Sequence, residues 1–108
     1  MAFNINDQVA PAAATPTTLY TCGASNVAVV NLTICNFGTS SETFTIRRKA
    51  TAATGDSNEQ YLFKDEPIPA KRTYEVTIGI TLTENMVLVV ESSGGNLAFN
   101  ASGDESAA

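Results

Sequence analysis

Apolar and polar residues alternate along most of this chain, and the alternation predicts β-strands. It is clearest over residues 73–82, where four apolar residues are spaced by two: Tyr74, Val76, Ile78 and Ile80. Glu75, Thr77 and Gly79 stand between them. A strand with one buried and one solvated face has this pattern. We therefore expect the four apolar side chains to supply one face of a hydrophobic core.

The same pattern recurs between turn-forming residues and divides the chain into seven expected strands. They lie at residues 17–22, 27–36, 42–50, 59–63, 73–82, 86–91 and 97–101. The strands at 27–36 and 86–91 carry apolar residues on both faces, which is typical of central strands. Pro67 and Pro69 interrupt ladder pairing, so we expect them to turn the chain between two sheets. No segment has a helical period. The predicted fold class is all-β, an antiparallel β-sandwich of about seven strands, Ig-like or jelly-roll-like.

The first sixteen residues have neither a strand period nor a helical one. They hold two prolines in a run of Ala and Thr, which is typical of an extended arm. We predict an N-terminal arm at 1–16, a β-sandwich domain at 17–103 and a polar C-terminal tail at 104–108. A frayed terminus is the alternative for the arm. If the arm lies against a neighbouring subunit, its contacts are expected from five residues: Phe3, Ile5, Val9, Pro11 and Pro16.

The net charge of the chain limits the classes of partner that it is expected to bind. The net charge is −5, with no His and only six Lys plus Arg. This disfavours nucleic-acid binding, which depends on neutralising phosphates. The longest strongly apolar run, 86–90, is too short to span a bilayer. The N-terminus has neither a positive patch nor an apolar segment of the secretory type, so we expect synthesis in a cytosol.

Two loops and one basic cluster are the other candidate partner-binding sites. The loop at 51–58 is small and polar, and we expect it to protrude at Gly55 and Asp56. The loop at 92–96 contains Gly94 and has the composition of a hairpin turn. Arg47 and Arg48, followed by Lys49, form the one basic cluster. It is either a solvated strand end or a contact to an acidic partner.

The residues that usually carry chemistry are few. Without His there is no Ser-His-Asp or Cys-His arrangement, and the adjacent Asp65 and Glu66 should point apart on an extended chain. The oxygens at 56–58 do not have the spacing of a calcium loop. Cys22 and Cys35 are expected to be free thiols; a disulfide would require their Cα atoms within about 7 Å. We therefore expect no enzymatic activity, no cofactor and no metal.

Several of the predicted strands together resemble a known group of proteins. The segments concerned are 19–21, 29–36, 43–46, 61–62, 67–70, 77–82 and 97–101. Their pattern resembles small β-sandwich virion proteins of tailed bacteriophages, over about residues 20–103. The resemblance implies a structural protein of the virion, made in the bacterial cytoplasm, that binds the major capsid protein or another virion protein as a homo-oligomer.

Two roles are compatible with that resemblance. The first is a capsid decoration (cement) protein that binds and stabilises the assembled shell. The second is a tail, baseplate or fibre-associated adaptor, with a host-receptor or carbohydrate-binding face formed by the protruding loops. The resemblance transfers no catalytic residue.

Overall fold

A computed structural model describes residues 4–108, which form eight β-strands and one short 3₁₀ turn. The strands are β1 (Ile5–Val9), β2 (Thr17–Thr21), β3 (Asn26–Asn36), β4 (Glu42–Lys49), β5 (Tyr61–Ile68), β6 (Thr73–Leu82), β7 (Val87–Ser92) and β8 (Leu97–Ala107). The 3₁₀ turn is Asn58–Gln60. Phe3, one of the predicted contact residues, lies outside the described residues.

The strands pair as one long antiparallel hairpin, in which each pair encloses the next. β4 pairs with β5, β3 with β6, β2 with β7 and β1 with β8, and every pair is antiparallel. Because this long hairpin folds over on itself, β3 also pairs with β8, and β4 also pairs with β7. The result is two four-stranded sheets, sheet A in the order β1-β8-β3-β6 and sheet B in the order β2-β7-β4-β5. This is a jelly roll, and it confirms the predicted all-β sandwich with an eighth strand added.

The core lies between the inner faces of the two sheets. Phe44 of β4 is at its centre and contacts three rings, with centroid distances of 5.2 Å to Tyr74, 5.7 Å to Phe63 and 6.3 Å to Phe99. Tilted and edge-on aromatic pairs of this kind add to the stabilisation that burial gives. Phe44 and Ile46 are buried because they alternate on the inner face of β4.

The eighth strand comes from the predicted arm. Ile5–Val9 pairs with β8, so that Ile5 lies opposite Gly103 and Val9 opposite Phe99. Ile5 is 4% exposed, and Pro11 is also buried. Residues 5–11 therefore complete the core of their own chain and do not extend as an arm to a neighbouring subunit.

The predicted polar tail is likewise part of a strand. β8 continues to Ala107, with Asp104 opposite Val29 and Ala107 opposite Asn26. Beyond the end of β1 the side chain of Asn4 takes over the pairing. Its Nδ2 donates to the carbonyl of Glu105, and its Oδ1 accepts from the Glu105 N–H, each at 2.8 Å.

The expectation that Ile78 belongs to the core is wrong. Val30 pairs with Ile80 and Leu32 with Val76, so three β6 residues stand opposite Asn31 alone. This β-bulge breaks the alternation. Val76 and Ile80 stay buried, and Ile78 turns outward with 79% of its surface exposed.

The chain crosses between the sheets where the sequence predicts it. β5 ends in sheet B at Ile68, and β6 begins in sheet A at Thr73. Contrary to expectation, Pro67 does not interrupt the ladder; it lies within β5, opposite Thr43, and is tolerated because β5 is an edge strand. The buried side chain of Asn36 secures this corner, donating to the Ile68 carbonyl at 3.0 Å.

Candidate functional site

A basic and aromatic cluster lies on sheet B. β4 supplies Arg47 and Lys49, β5 supplies Tyr61 and Lys64, and the 51–58 loop supplies Asp56. Arg47 stands directly opposite Tyr61 in the ladder, which explains why their side chains meet. The structure thus brings together two of the predicted contact residues, Arg47 and Asp56.

Arg47 is held by several neighbours at once. Its Nη2 donates to the Tyr61 hydroxyl at 2.7 Å, and the guanidinium carbon lies 4.6 Å from the ring centroid of the same tyrosine. Its Nη1 is 3.8 Å from Asp56 Oδ2. Nε is buried and has no hydrogen-bond partner among the described residues. Arg47 is therefore a positioned side chain, whereas the expected solvated strand end would leave it free.

Asp56 fastens the protruding loop to this cluster. Lys49 Nζ donates to Asp56 Oδ1 at 3.0 Å; together with the nearby Arg47 charge, this lowers the pKa of the exposed Asp56 carboxyl. Gln60 Nε2 donates to the Gly55 carbonyl at 2.8 Å. Gly55 itself faces open space. The loop protrudes as expected, with its base tied to β4.

Arg48 is separate from that cluster. Its Nη1 crosses to sheet A and donates to the Thr81 carbonyl at 3.1 Å, at the edge of β6. The guanidinium thus satisfies an edge carbonyl and links the two sheets.

Gly94 belongs to a loop anchored on a buried acid. The Glu42 side chain accepts the backbone N–H of Gly94 at 3.0 Å and that of Asn96 at 3.2 Å. Glu42 is only 6% exposed. The Ala14 N–H also donates to the Ser92 carbonyl at 2.8 Å, which packs the β1–β2 connection on this loop. Pro16, in the same connection, remains exposed.

A second carboxylate network escaped the sequence prediction. Glu105 Oε1 accepts a short hydrogen bond from the Tyr20 hydroxyl, and its Oε2 accepts from Asn26 Nδ2 at 2.7 Å and from the Gly23 N–H at 3.2 Å. These donors, above all Tyr20, lower the pKa of Glu105. Burial and the Glu105 charge raise the pKa of Tyr20.

The signal for this network was present in the sequence. Leu97, Phe99 and Ala101 alternate on the inner face of β8, and Gly103 and Glu105 continue in the same phase. The polar character of residues 102–108 concealed that continuation.

The two thiols are free, as expected. Cys22 is buried and Cys35 is half-buried. β2 and β3 belong to different sheets, so these consecutive strands do not pair as a hairpin that would bring the two thiols together. Burial, together with the nearby Glu105 and Glu84 charges, raises the pKa of the Cys22 thiol, which makes it a poor nucleophile. Within residues 4–108 no group of three or more metal-ligating side chains comes together.

The outer face of sheet A differs in charge from sheet B. β1, β3, β6 and β8 contain no Lys or Arg, whereas β4 and β5 hold four of the six cations of the chain. Sheet A also exposes three apolar side chains, Val27 (38%), Val29 (46%) and Ile78 (79%). We call these three residues the apolar patch.

The fold and these surfaces define a jelly-roll domain with two chemically distinct outer faces. Comparison of the chain with protein-family models, curated proteins and solved structures finds no match. The described residues contain no helix that could cross a lipid bilayer.

Proposed function

We propose that this chain is a structural protein of a bacteriophage virion, a capsid decoration (cement) protein that binds the assembled shell. The observation that carries the proposal is the outer face of sheet A, which exposes Val27, Val29 and Ile78 on a small acidic domain. Grouped exposed apolar side chains are typical of protein contact sites. Jelly rolls occur in viral capsid proteins, but also in lectin domains and cupins, so the fold supports the proposal without deciding it.

Decoration of a shell also suits a domain whose loops are tied down. Asp56 and Glu42 each fasten a loop to a strand, so both loops are pre-organised before any contact forms. A rigid body loses little conformational entropy on docking. Many identical weak contacts on one lattice then reinforce one another.

Particles made with and without this chain test the proposal. Decorated shells should survive a higher temperature before releasing their DNA, measured with a DNA-binding dye during a thermal ramp, because the added contacts stabilise the lattice. Electron microscopy of the same particles should show density for the chain across the shell. Equal release temperatures with no density on the shell would contradict decoration.

A tail or fibre adaptor that binds carbohydrate is the second candidate, and one groove favours it. An open groove of about 370 Å³ lies where the end of β1 meets the start of β8. Gln8 and Asn100 face each other across the strand pair there, next to Ala98. Amide groups beside apolar surface are suited to sugar hydroxyls. Density confined to one vertex of the particle would favour this role.

A further inference from the structure

The bulge that exposes Ile78 is held in place by specific interactions. The Gly79 N–H donates to Asn31 Oδ1 at 3.0 Å, so a side chain on the outer face of β3 holds the extra residues of β6. Gly79 has φ +73°, a conformation that favours glycine. Bulges commonly re-aim a side chain at a functional surface. Here the bulge removes an isoleucine from the core and presents it to solvent.

Ile78 is next to other exposed apolar groups. A Cβ built on Gly79 would lie 3.3 Å from Val29 Cγ1, which places the bulge beside the Val29 side chain. Val27 lies two residues along β3, on the same face as Val29. The three residues of the apolar patch therefore lie on the same outer face of two adjacent strands, β3 and β6.

Carboxylates border this patch. Asp104 stands directly opposite Val29 in the ladder, and Glu75 stands opposite Thr33 further along the same face. Arg48 of sheet B reaches the edge of this sheet, where its Nη1 is bonded to the Thr81 carbonyl. The side chains that the strands of sheet A present here are thus apolar, with the carboxylates of Asp104 and Glu75 on the same face.

We propose that the apolar patch docks into an apolar socket fringed by lysine or arginine on the shell protein, with Ile78, the most exposed of the three side chains, as the main anchor. The inference rests on the proposed decoration function and assigns it a surface and a partner chemistry. A second copy of this chain fits poorly. The strands of sheet A carry Asp104 and Glu75 but no Lys or Arg, so the same face of another copy offers no strand cation to pair with these carboxylates.

Binding of variants to undecorated shells tests the inference. The probe is shells purified from the same virus with the gene for this chain deleted, and bound protein is measured by co-sedimentation. Ile78→Asn should weaken binding by about tenfold or more, as expected for the main anchor of a contact. Phe37→Asn is the matched control, because Phe37 is 49% exposed but lies in a turn outside the patch. It should bind within about twofold of the natural chain.

A variant that removes one charge tests whether lysine or arginine borders the socket. Asp104→Asn should weaken binding about threefold or more at low salt, and rising salt should weaken the natural chain more than this variant, because screening removes the same attraction. The melting temperature of Ile78→Asn should match that of the natural chain, because replacing an exposed side chain leaves no cavity in the core.

Each outcome decides a different point. If the natural chain binds shells and Ile78→Asn binds them equally well, the patch is not the docking surface, while the decoration function stands. No binding of the natural chain to any shell overturns both. A natural dimer that Ile78→Asn converts to monomer, seen by light scattering, identifies a second copy as the occupant and also overturns the proposal.

Discussion

At the scale of single residues, two glycines in exposed loops have opposite tolerances for a side chain. A Cβ on Gly94 would lie 2.7 Å from Glu42 Oε2, whereas a Cβ on Gly55 would meet nothing within 4 Å. Glu42 cannot move aside easily, because it is buried and holds two backbone N–H groups. From sequence both glycines are equally plausible contact residues, and only the fold distinguishes them.

Gly94→Ala should therefore lower the free energy of unfolding by about 1–3 kcal/mol, the usual cost of forcing extra volume into a packed site. Gly55→Ala is the matched control and should change it by less than about 0.5 kcal/mol. Urea denaturation followed by circular dichroism measures both. Equal values for the two variants would show that the Glu42 anchor is not rigid.

At the scale of elements, the Tyr20–Glu105 network ties the end of β8 to β2 and to the turn before β3. Its contribution to stability depends on pH. The folded pKa of Glu105 lies below its ordinary value of 4.5, so the unfolded chain takes up the proton first. The contribution is complete at neutral pH, declines as pH falls below about 4.5 and is lost once pH has passed the folded pKa.

Replacing the Glu105 carboxylate should make the stability of the chain less sensitive to acid. We expect Glu105→Gln to be less stable than the natural chain at pH 7 and to lose less stability between pH 6 and pH 3, because the replacement does not titrate there. Glu75→Gln, an exposed change on sheet A, should keep the natural pH profile. Melting temperatures across the pH range test this. If Glu105→Gln loses as much stability between pH 6 and pH 3 as the natural chain, the acid sensitivity belongs to other carboxyl groups.

The alternation of residues was sufficient to predict some elements but not others. It placed β6 at its observed bounds, Thr73–Leu82, and predicted that β3 and β7 are central strands, but not that β4 and β8 are central too. It missed β1 because that strand depends on β8, which is nearly the whole chain away. It misplaced Ile78 because the bulge depends on the Asn31 side chain of a neighbouring strand.

The candidate surfaces were harder to predict than the fold. Grouping Arg47 with Asp56 requires knowing that the loop folds back on β4. The apolar patch arises from a register shift between two strands, which no local pattern reveals.

At the scale of the whole molecule, the nested pairing makes nearly every important contact non-local. Ile5 lies opposite Gly103, so pairing β1 with β8 closes a loop of nearly the whole chain. The entropy of closing such loops slows folding.

We therefore expect refolding on a time scale of milliseconds to seconds, typical of all-β domains with this topology. Stopped-flow tyrosine fluorescence after urea dilution measures it, since the chain has three Tyr and no Trp. Microsecond refolding would contradict the expectation, because it would require mainly local contacts in the transition state.

The β6 bulge also bears on how the molecule behaves when crowded. β6 is an edge strand of ten residues, long enough to template the backbone of another chain. The extra residues at 77–79 interrupt its row of amide and carbonyl groups at the middle, so an incoming strand cannot align along its full length. The same distortion that presents Ile78 thus guards against fibre growth from this edge.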